Sequence, residues 1–479
     1  MLFNSLDFII FFMIVVFLHY VLPHKFRWIM LLTASCIFYM CWRAELIVLI
    51  LFSTLANWGI SLLIDKYRHR GKGLLILSII INFGLLFIFK YMMFINHTFM
   101  VLYEYMGWNY PVSDFNIILP MGISFYTFQA ASYTIDIYRN DYPPERNYFK
   151  FTLFVTFFPQ LVAGPIERAD RLLNQLFTVK RINVNNFSDG IKLMIMGYFK
   201  KIVIADRSAV LVNAVFNNCR EYNGLSFIIA AFFFAFQIYG DFSGYSDIAR
   251  GCARILGIDL MYNFDRPYFS KSIKEFWRRW HISLSTWFRD YVYIPLGGSR
   301  CSRGRKYLNL MITFLVSGLW HGANWTYVLW GGLHGLYQVI GDVKNMIIPK
   351  WNNFVINFFR VIITFILVVF AWIFFRANTI GDSFYIVSNL FNDIGNITDL
   401  QYLYEMFNNF GLQMFEIVIV TGAIAVLIFS EIISCKMDIH KLMNRAPFVL
   451  RFAYYYILVI IIFGMGVFSG GGQFIYFQF

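Results

Sequence analysis

Apolar residues come in long runs separated by short charged loops, and the pattern holds along almost the whole chain. The runs occupy residues 6–21, 28–40, 46–64, 74–95, 191–215, 226–240, 308–320, 325–340, 355–375, 414–433 and 452–468. A bilayer-crossing helix needs about 20 mostly apolar residues, so these runs predict about eleven transmembrane helices. Basic loops at residues 65–72 and 300–306 are the natural cytoplasmic ones, because Lys and Arg accumulate on that side. No internal repeat and no low-complexity linker divides the chain, which predicts one membrane domain over residues 1–479.

Three stretches depart from plain spans. Residues 120–139, PMGISFYTFQAASYTIDIYR, are apolar but crowded with hydroxyls and end in Asp136 and Arg139. Residues 151–168, FTLFVTFFPQLVAGPIER, are broken by Pro159 and Pro165. Irregular backbone at membrane depth survives only where protein or trapped water satisfies its polar groups. Both stretches are therefore expected to be re-entrant or buried segments lining a cavity, with two kinked ordinary helices as the plainer alternative. Residues 241–306 carry Lys271, Lys274, Arg278, Arg279, Arg289, Arg300, Arg303, Arg305 and Lys306 among Trp277, Trp280, Trp287, Tyr291 and Tyr293. Cations beside Trp and Tyr predict an interfacial helix along the headgroups. The same cluster is placed to receive an anionic substrate such as a nucleotide-bearing cofactor, and spacing does not separate the two readings.

Composition turns this pattern into a class. Of 479 residues, 59% are hydrophobic and only 14% charged, against about 25% charged in a soluble domain. That excludes a disordered chain, a secreted disulfide scaffold and an ordinary cytosolic enzyme. Lys+Arg 40 against Asp+Glu 27 leaves a net charge of +13, which suits the cytoplasmic loops of a polytopic protein better than nucleic-acid binding. The six cysteines are scattered without CxxC or zinc spacing, so they are read as small apolar residues. The first four residues carry no basic charge, so the first run is expected to be retained as a helix.

Chemistry is sought among the eight histidines. His69 and His440 sit in charged loops, and His19, His24 and His97 lie near span ends where an interfacial place is expected. His321 and His334 fall in a stretch, Tyr307 to Gly341, with no Asp, Glu, Lys or Arg. A helix starting after Lys306 carries His321 roughly 22 Å in, and a continued helix carries His334 about 42 Å, near the far face. His321 is thus the intramembrane imidazole and His334 the more peripheral one. Ionisable groups at that depth are costly and mark function. An imidazole without metal ligands suits general-base chemistry: it removes a proton from a hydroxyl that attacks an activated acyl group. An acyl-His intermediate is the alternative. His281 is a second polar candidate, read on spacing alone as a partner that fixes the Trp/Arg-rich segment.

The long motifs then become recognisable. FWRRWHISLSTWFRDYVYIPLGG (276–298) and SGLWHGANWTYVLWGGLHG (317–335) resemble the core of the membrane-bound O-acyltransferase family, in its alginate-acetylating branch. GISFYTFQAASYTIDIYR, FFPQLVAGPIER, GYFKKIVIAD, DFSGYSDIARG, NFDRPY and the C-terminal FIYFQF extend the likeness over nearly the whole chain, with the core motif region at residues 241–341. The resemblance implies an all-α fold, a ring of transmembrane, re-entrant and interfacial helices around a thinned centre crossed by a tunnel. It places the family's invariant histidine on His321 and its second on His281, and a histidine common in the polysaccharide branch on His334. It implies acetyl transfer from cytoplasmic acetyl-CoA, a donor substrate rather than a tightly bound cofactor, to an exported or cell-surface polysaccharide such as alginate, cellulose or peptidoglycan.

An extracytoplasmic serine-hydrolase-like partner is expected to complete the transfer, in a bacterial cell membrane. Arg278, Arg279 and Arg289 are the candidates for the CoA phosphates; lipid headgroups compete for the same residues. Two other functions stay in view: a polymer transporter or flippase, and D-alanyl transfer to teichoic acid. A transporter would more typically show a carboxylate relay or inverted repeats.

Overall fold

The computed structural model describes residues 1, 3–113, 115–347, 353–436, 446–468 and 474–475. His440 and residues 476–479 of the C-terminal motif lie outside the described residues. Among the described residues the chain is helical with no strand, and each of the apolar runs falls on a helix. Six helical stretches are long and apolar enough to cross a membrane: Ala44–Lys66, Arg68–Tyr105, Leu225–Ile255, Phe354–Arg376, Met414–Cys435 and Phe448–Met465. The protein is a multi-pass all-α membrane protein. The other runs form helices that are shorter or less apolar, so length and composition do not bear out a count of eleven. The six cysteines are free thiols.

The chain divides into two compact units, one of Met1–Ile191 with Ala249–Met261, the other of Lys192–Ile248 with Tyr262–Phe479. In the first unit, helices Ile47–Lys66, Gly71–Leu86 and Ile123–Arg139 pack around a buried amide. Asn57 Oδ1 accepts hydrogen bonds from Ser78 Oγ (2.8 Å), Asn82 Nδ2 (2.7 Å) and Thr134 Oγ1 (3.1 Å). In lipid, where apolar burial between helices gains little, such bonds and close packing hold helices together.

Both broken stretches are buried. Residues 120–139 resolve into one continuous helix, Ile123–Arg139, with residues 123–134 all buried. Residues 151–168 break at Phe157 between helix Tyr148–Thr156 and the single turn Phe158–Leu161. The break is satisfied internally, as irregular backbone at this depth requires. The Phe158 N–H donates to Ser35 Oγ (3.1 Å), and the Phe154 carbonyl accepts from Gln129 Nε2 (2.9 Å) and Gln160 Nε2 (2.8 Å). Gly122 closes the join at φ 72: a Cβ there would stand 2.6 Å from the Leu161 carbonyl oxygen. His19, expected at an interface, is 3% exposed.

The largest correction concerns residues 241–306, which fall in the second unit apart from Ala249–Met261. Helix Leu225–Ile255 does not stop near Gly240 but continues through Asp241 to Ile255. The Trp-rich part is not one interfacial helix. It forms two short helices, Ile273–Arg279 and Ile282–Phe288, with the left-handed His281 (φ 42, ψ 58) between them. Ser272 caps the first by accepting the Glu275 N–H at 3.2 Å. Trp277, Trp280 and Trp287 point inward and are buried, while Lys274, Arg278 and Arg289 are exposed. Composition announced an amphipathic segment; the tryptophans belong to its protein-facing side.

Asn57→Ala removes the acceptor shared by three helices and strands buried donors. We expect the solubilised protein to lose about 1–3 kcal/mol of stability, seen as a lower thermal-unfolding midpoint.

Candidate active site

The site is built on a helical hairpin. Helix Arg303–His321 runs unbroken through Gly318 and ends on His321. The chain turns at Gly322–Asn324, where Asn324 Oδ1 accepts the Thr326 N–H (3.0 Å) and opens helix Trp325–Ile347. The two helices touch backbone to backbone. A Cβ on Gly318 would lie 2.2 Å from the Tyr327 carbonyl oxygen, and one on Gly331 would lie 2.3 Å from that of Phe314. This reversal corrects the expected place of His334. The residue is not carried toward the far face but returns to the interior, fully buried.

Two histidines meet in an aromatic cage, and a third stands behind one of its rings. The His321 ring stands with its centroid 5.0 Å from Trp320, 5.0 Å from Trp330 and 5.6 Å from Phe375, all edge-on. His281, brought in by the break between the short helices, lies 6.3 Å from His321, centroid to centroid, and 4.5 Å from Phe242. The two imidazoles are thus neighbours in one buried cluster. His281 is fully buried, and loss of hydration disfavours its protonated form. His334 lies behind Trp330, at 5.0 Å, and its Nδ1 accepts the Trp277 indole N–H at 3.2 Å.

A cavity of about 600 Å³ lies against this cage. Its exposed lining includes Lys274, Arg278 and Arg289; its buried lining includes Trp277, Phe288 and Ser317. Ser317 is one helical turn before His321 on the same face, and Ile282 in the lining follows His281 directly. The lining thus combines exposed cations with residues next to His281 in the chain or one helical turn from His321, while neither imidazole itself lines the cavity. The three candidate arginines part company here. Arg278 lines the cavity and has no ion pair among the described residues. Arg289 lines it too, held by Asp290 at 2.7 Å. Arg279 is outside the lining and pairs with Glu275 at 2.6 Å. Lys306, also in the lining, is paired with Asp342 across the hairpin.

A second polar centre was not singled out from the sequence. Lys201 Nζ lies 2.6 Å from Asp206 Oδ1 and 2.7 Å from Asp241 Oδ1, all buried. The other Asp241 oxygen accepts the Ile475 N–H at 2.6 Å, and the neighbouring Phe474 packs on Phe242 (5.8 Å), which touches His281. Helices Val184–Tyr198 and Leu225–Ile255 come close enough for this at Gly197 and Gly244, where a Cβ on the first would stand 2.6 Å from the second's carbonyl oxygen. The signal was present: a lysine and an aspartate inside the run at 191–215, and an aspartate directly after the run at 226–240, are functional or structural suspects by default.

Comparison with known proteins agrees with this geometry. The membrane-bound O-acyltransferase family profile matches residues 145–381, a range holding all three histidines and the cavity. A probable alginate O-acetylase of Pseudomonas aeruginosa is 41% identical over 367 residues, covering 76% of this chain and 69% of that protein. The chain belongs to the membrane-bound O-acyltransferase family. The peptidoglycan O-acetyltransferase of Helicobacter pylori is 32% identical over 426 residues, 81% of this chain and 80% of that protein. The teichoic acid D-alanyltransferase of Streptococcus thermophilus is 31% identical over 242 residues, 46% of this chain and 56% of that protein. The protein is a multi-pass membrane O-acyltransferase, and its hairpin, short helices and cavity form the centre of the matched region.

Gly331→Val forces the two hairpin helices of this acyltransferase apart. Overpacking of that kind costs about 1–3 kcal/mol, so we expect a lowered unfolding midpoint in detergent and a loss of acyl transfer.

Proposed function

We propose that this acyltransferase moves an acetyl group from cytoplasmic acetyl-CoA across the membrane for O-acetylation of an exported or cell-surface polysaccharide. The observation that carries the reading is the cavity lined by exposed Lys274, Arg278 and Arg289 and by buried Ser317, which is one helical turn from His321. Cations at the entrance suit the phosphates of a CoA thioester, and Arg suits them best because its planar fork donates two parallel hydrogen bonds. Arg279, committed to Glu275, is assigned to holding its helix.

In the proposed reaction the neutral His321 imidazole takes the proton of an acceptor hydroxyl. The hydroxyl oxygen attacks the thioester carbonyl carbon, the carbon–sulfur bond breaks, and the imidazolium returns its proton to the departing thiolate. An ester and a free thiol result, and the imidazole is neutral again. His281 orients the carbonyl or hydroxyl between the two rings. The aromatic cage excludes bulk water, which would otherwise compete as acceptor and hydrolyse the thioester.

A polysaccharide acceptor is supported by the relatives named for alginate and peptidoglycan acetylation, each aligned over more than three quarters of this chain. The D-alanyl relative aligns over 46% of it. An extracytoplasmic serine-hydrolase-like partner would carry the acetyl group onward to the polymer.

His321→Ala is expected to abolish transfer of labelled acetyl groups from acetyl-CoA while the protein accumulates normally in membranes. Transfer at the original rate would rule out the proposed role. Arg278→Ala loses a charge-assisted bond, and its expected signature is a KM for acetyl-CoA raised about tenfold with little change in kcat. An unchanged KM would take Arg278 out of the donor site.

A further inference from the structure

We infer that His334 is a positioning residue that acts through Trp277, holding the indole that walls off the inner end of the donor cavity. The inference rests on the proposed donor site. Trp277 lines the cavity and donates its indole N–H to His334 Nδ1 at 3.2 Å. An indole nitrogen only donates, so Nδ1 carries a lone pair and the neutral ring holds its proton on Nε2. The His334 ring is itself fixed, stacked on Phe276 (6.1 Å, 8°) and edge-on to Trp330 (5.0 Å).

Trp277 leans on the same partners: Trp330 at 5.6 Å and Phe314 at 5.3 Å. Trp330 is also the ring 5.0 Å from His321. One hydrogen bond therefore orients the wall that separates the cavity from the ring flanking His321. His334 has no ring contact with His281 or His321 among the described residues, so its place is behind the wall, not at the reacting atoms. Without an acceptor at Nδ1 the buried indole N–H is left unpaired, and the indole rotates toward any polar atom in the cavity.

The test compares His334→Ala, His334→Asn, His334→Gln, Trp277→Phe and the His334→Ala/Trp277→Phe pair in membranes of cells expressing the full chain. Consumption of labelled acetyl-CoA gives KM and kcat, and abundance is measured for each variant. Asn places an amide oxygen near the position of Nδ1; Gln places its amide near Nε2. His334→Ala and Trp277→Phe are each expected to raise the KM for acetyl-CoA about tenfold, and the pair to do no worse than either alone.

His334→Asn is expected to stay within about threefold of the unsubstituted chain and His334→Gln to resemble His334→Ala. An unchanged KM in His334→Ala, multiplicative losses in the pair, or equal behaviour of Asn and Gln would overturn the inference. The Asn and Gln pair decides it alone if His334→Ala does not accumulate. His321→Ala serves as the reference. If it is inactive while the His334 variants are indifferent, only this inference falls; if it still transfers acetyl groups, the proposed function beneath it falls.

Discussion

Backbone contact between Gly318 and Gly331 is the constraint on which the rest of the site depends. Two helices that cross without side chains between them must run close, and the short reversal at Gly322–Asn324 then fixes their register. In a bilayer, apolar side chains gain little from leaving lipid for one another, so association relies on such close packing and on polar pairs. The Lys306–Asp342 pair supplies one at the far end of the same hairpin. With the register fixed, His321 ends one helix, Trp330 stands beside it on the other, and His334 follows one turn behind.

Around this hairpin the chain builds an interior that is aromatic rather than aliphatic. Trp280, Trp330 and Trp372 are fully buried, and Trp330 stacks on Trp372 at 5.5 Å. Large rigid rings hold their positions with few rotatable bonds, which suits a site whose parts come from helices far apart in sequence. They also make a low-dielectric surround in which the few polar groups interact strongly. His281 enters that surround from a left-handed backbone position, a conformation a non-glycine residue adopts only where its neighbours hold it.

Much of the architecture was legible because apolar runs have one dominant solution in lipid, the helix. Residue count converts to distance along the chain as far as His321 because helix Arg303–His321 is continuous. The same arithmetic failed for His334, since nothing in the count records a reversal at Gly322–Asn324. The Trp-rich segment was read as one helix because composition shows that a segment is amphipathic but not where it breaks, and the structure divides it at His281. Arg278 and Arg279 look equivalent in a string, yet neighbours on a helix point about 100° apart, and only one reaches the cavity. Pairs such as Trp277 with His334, or Lys201 with Asp241, join residues far apart along the chain, and no local pattern announces them.

The buried Lys201 bears on how the protein is made. An unescorted lysine at the centre of a membrane helix costs about 2.5–3.5 kcal/mol to insert, and Asp206 on the following turns offsets only part of that burden. The second carboxylate, Asp241, belongs to the next long helix, and the two helices meet at Gly197 and Gly244. Compensation of the charge on residue 201 therefore draws on a residue well beyond its own segment of the chain. The charge on residue 201 thus ties the helix that carries it to the one that carries residue 241.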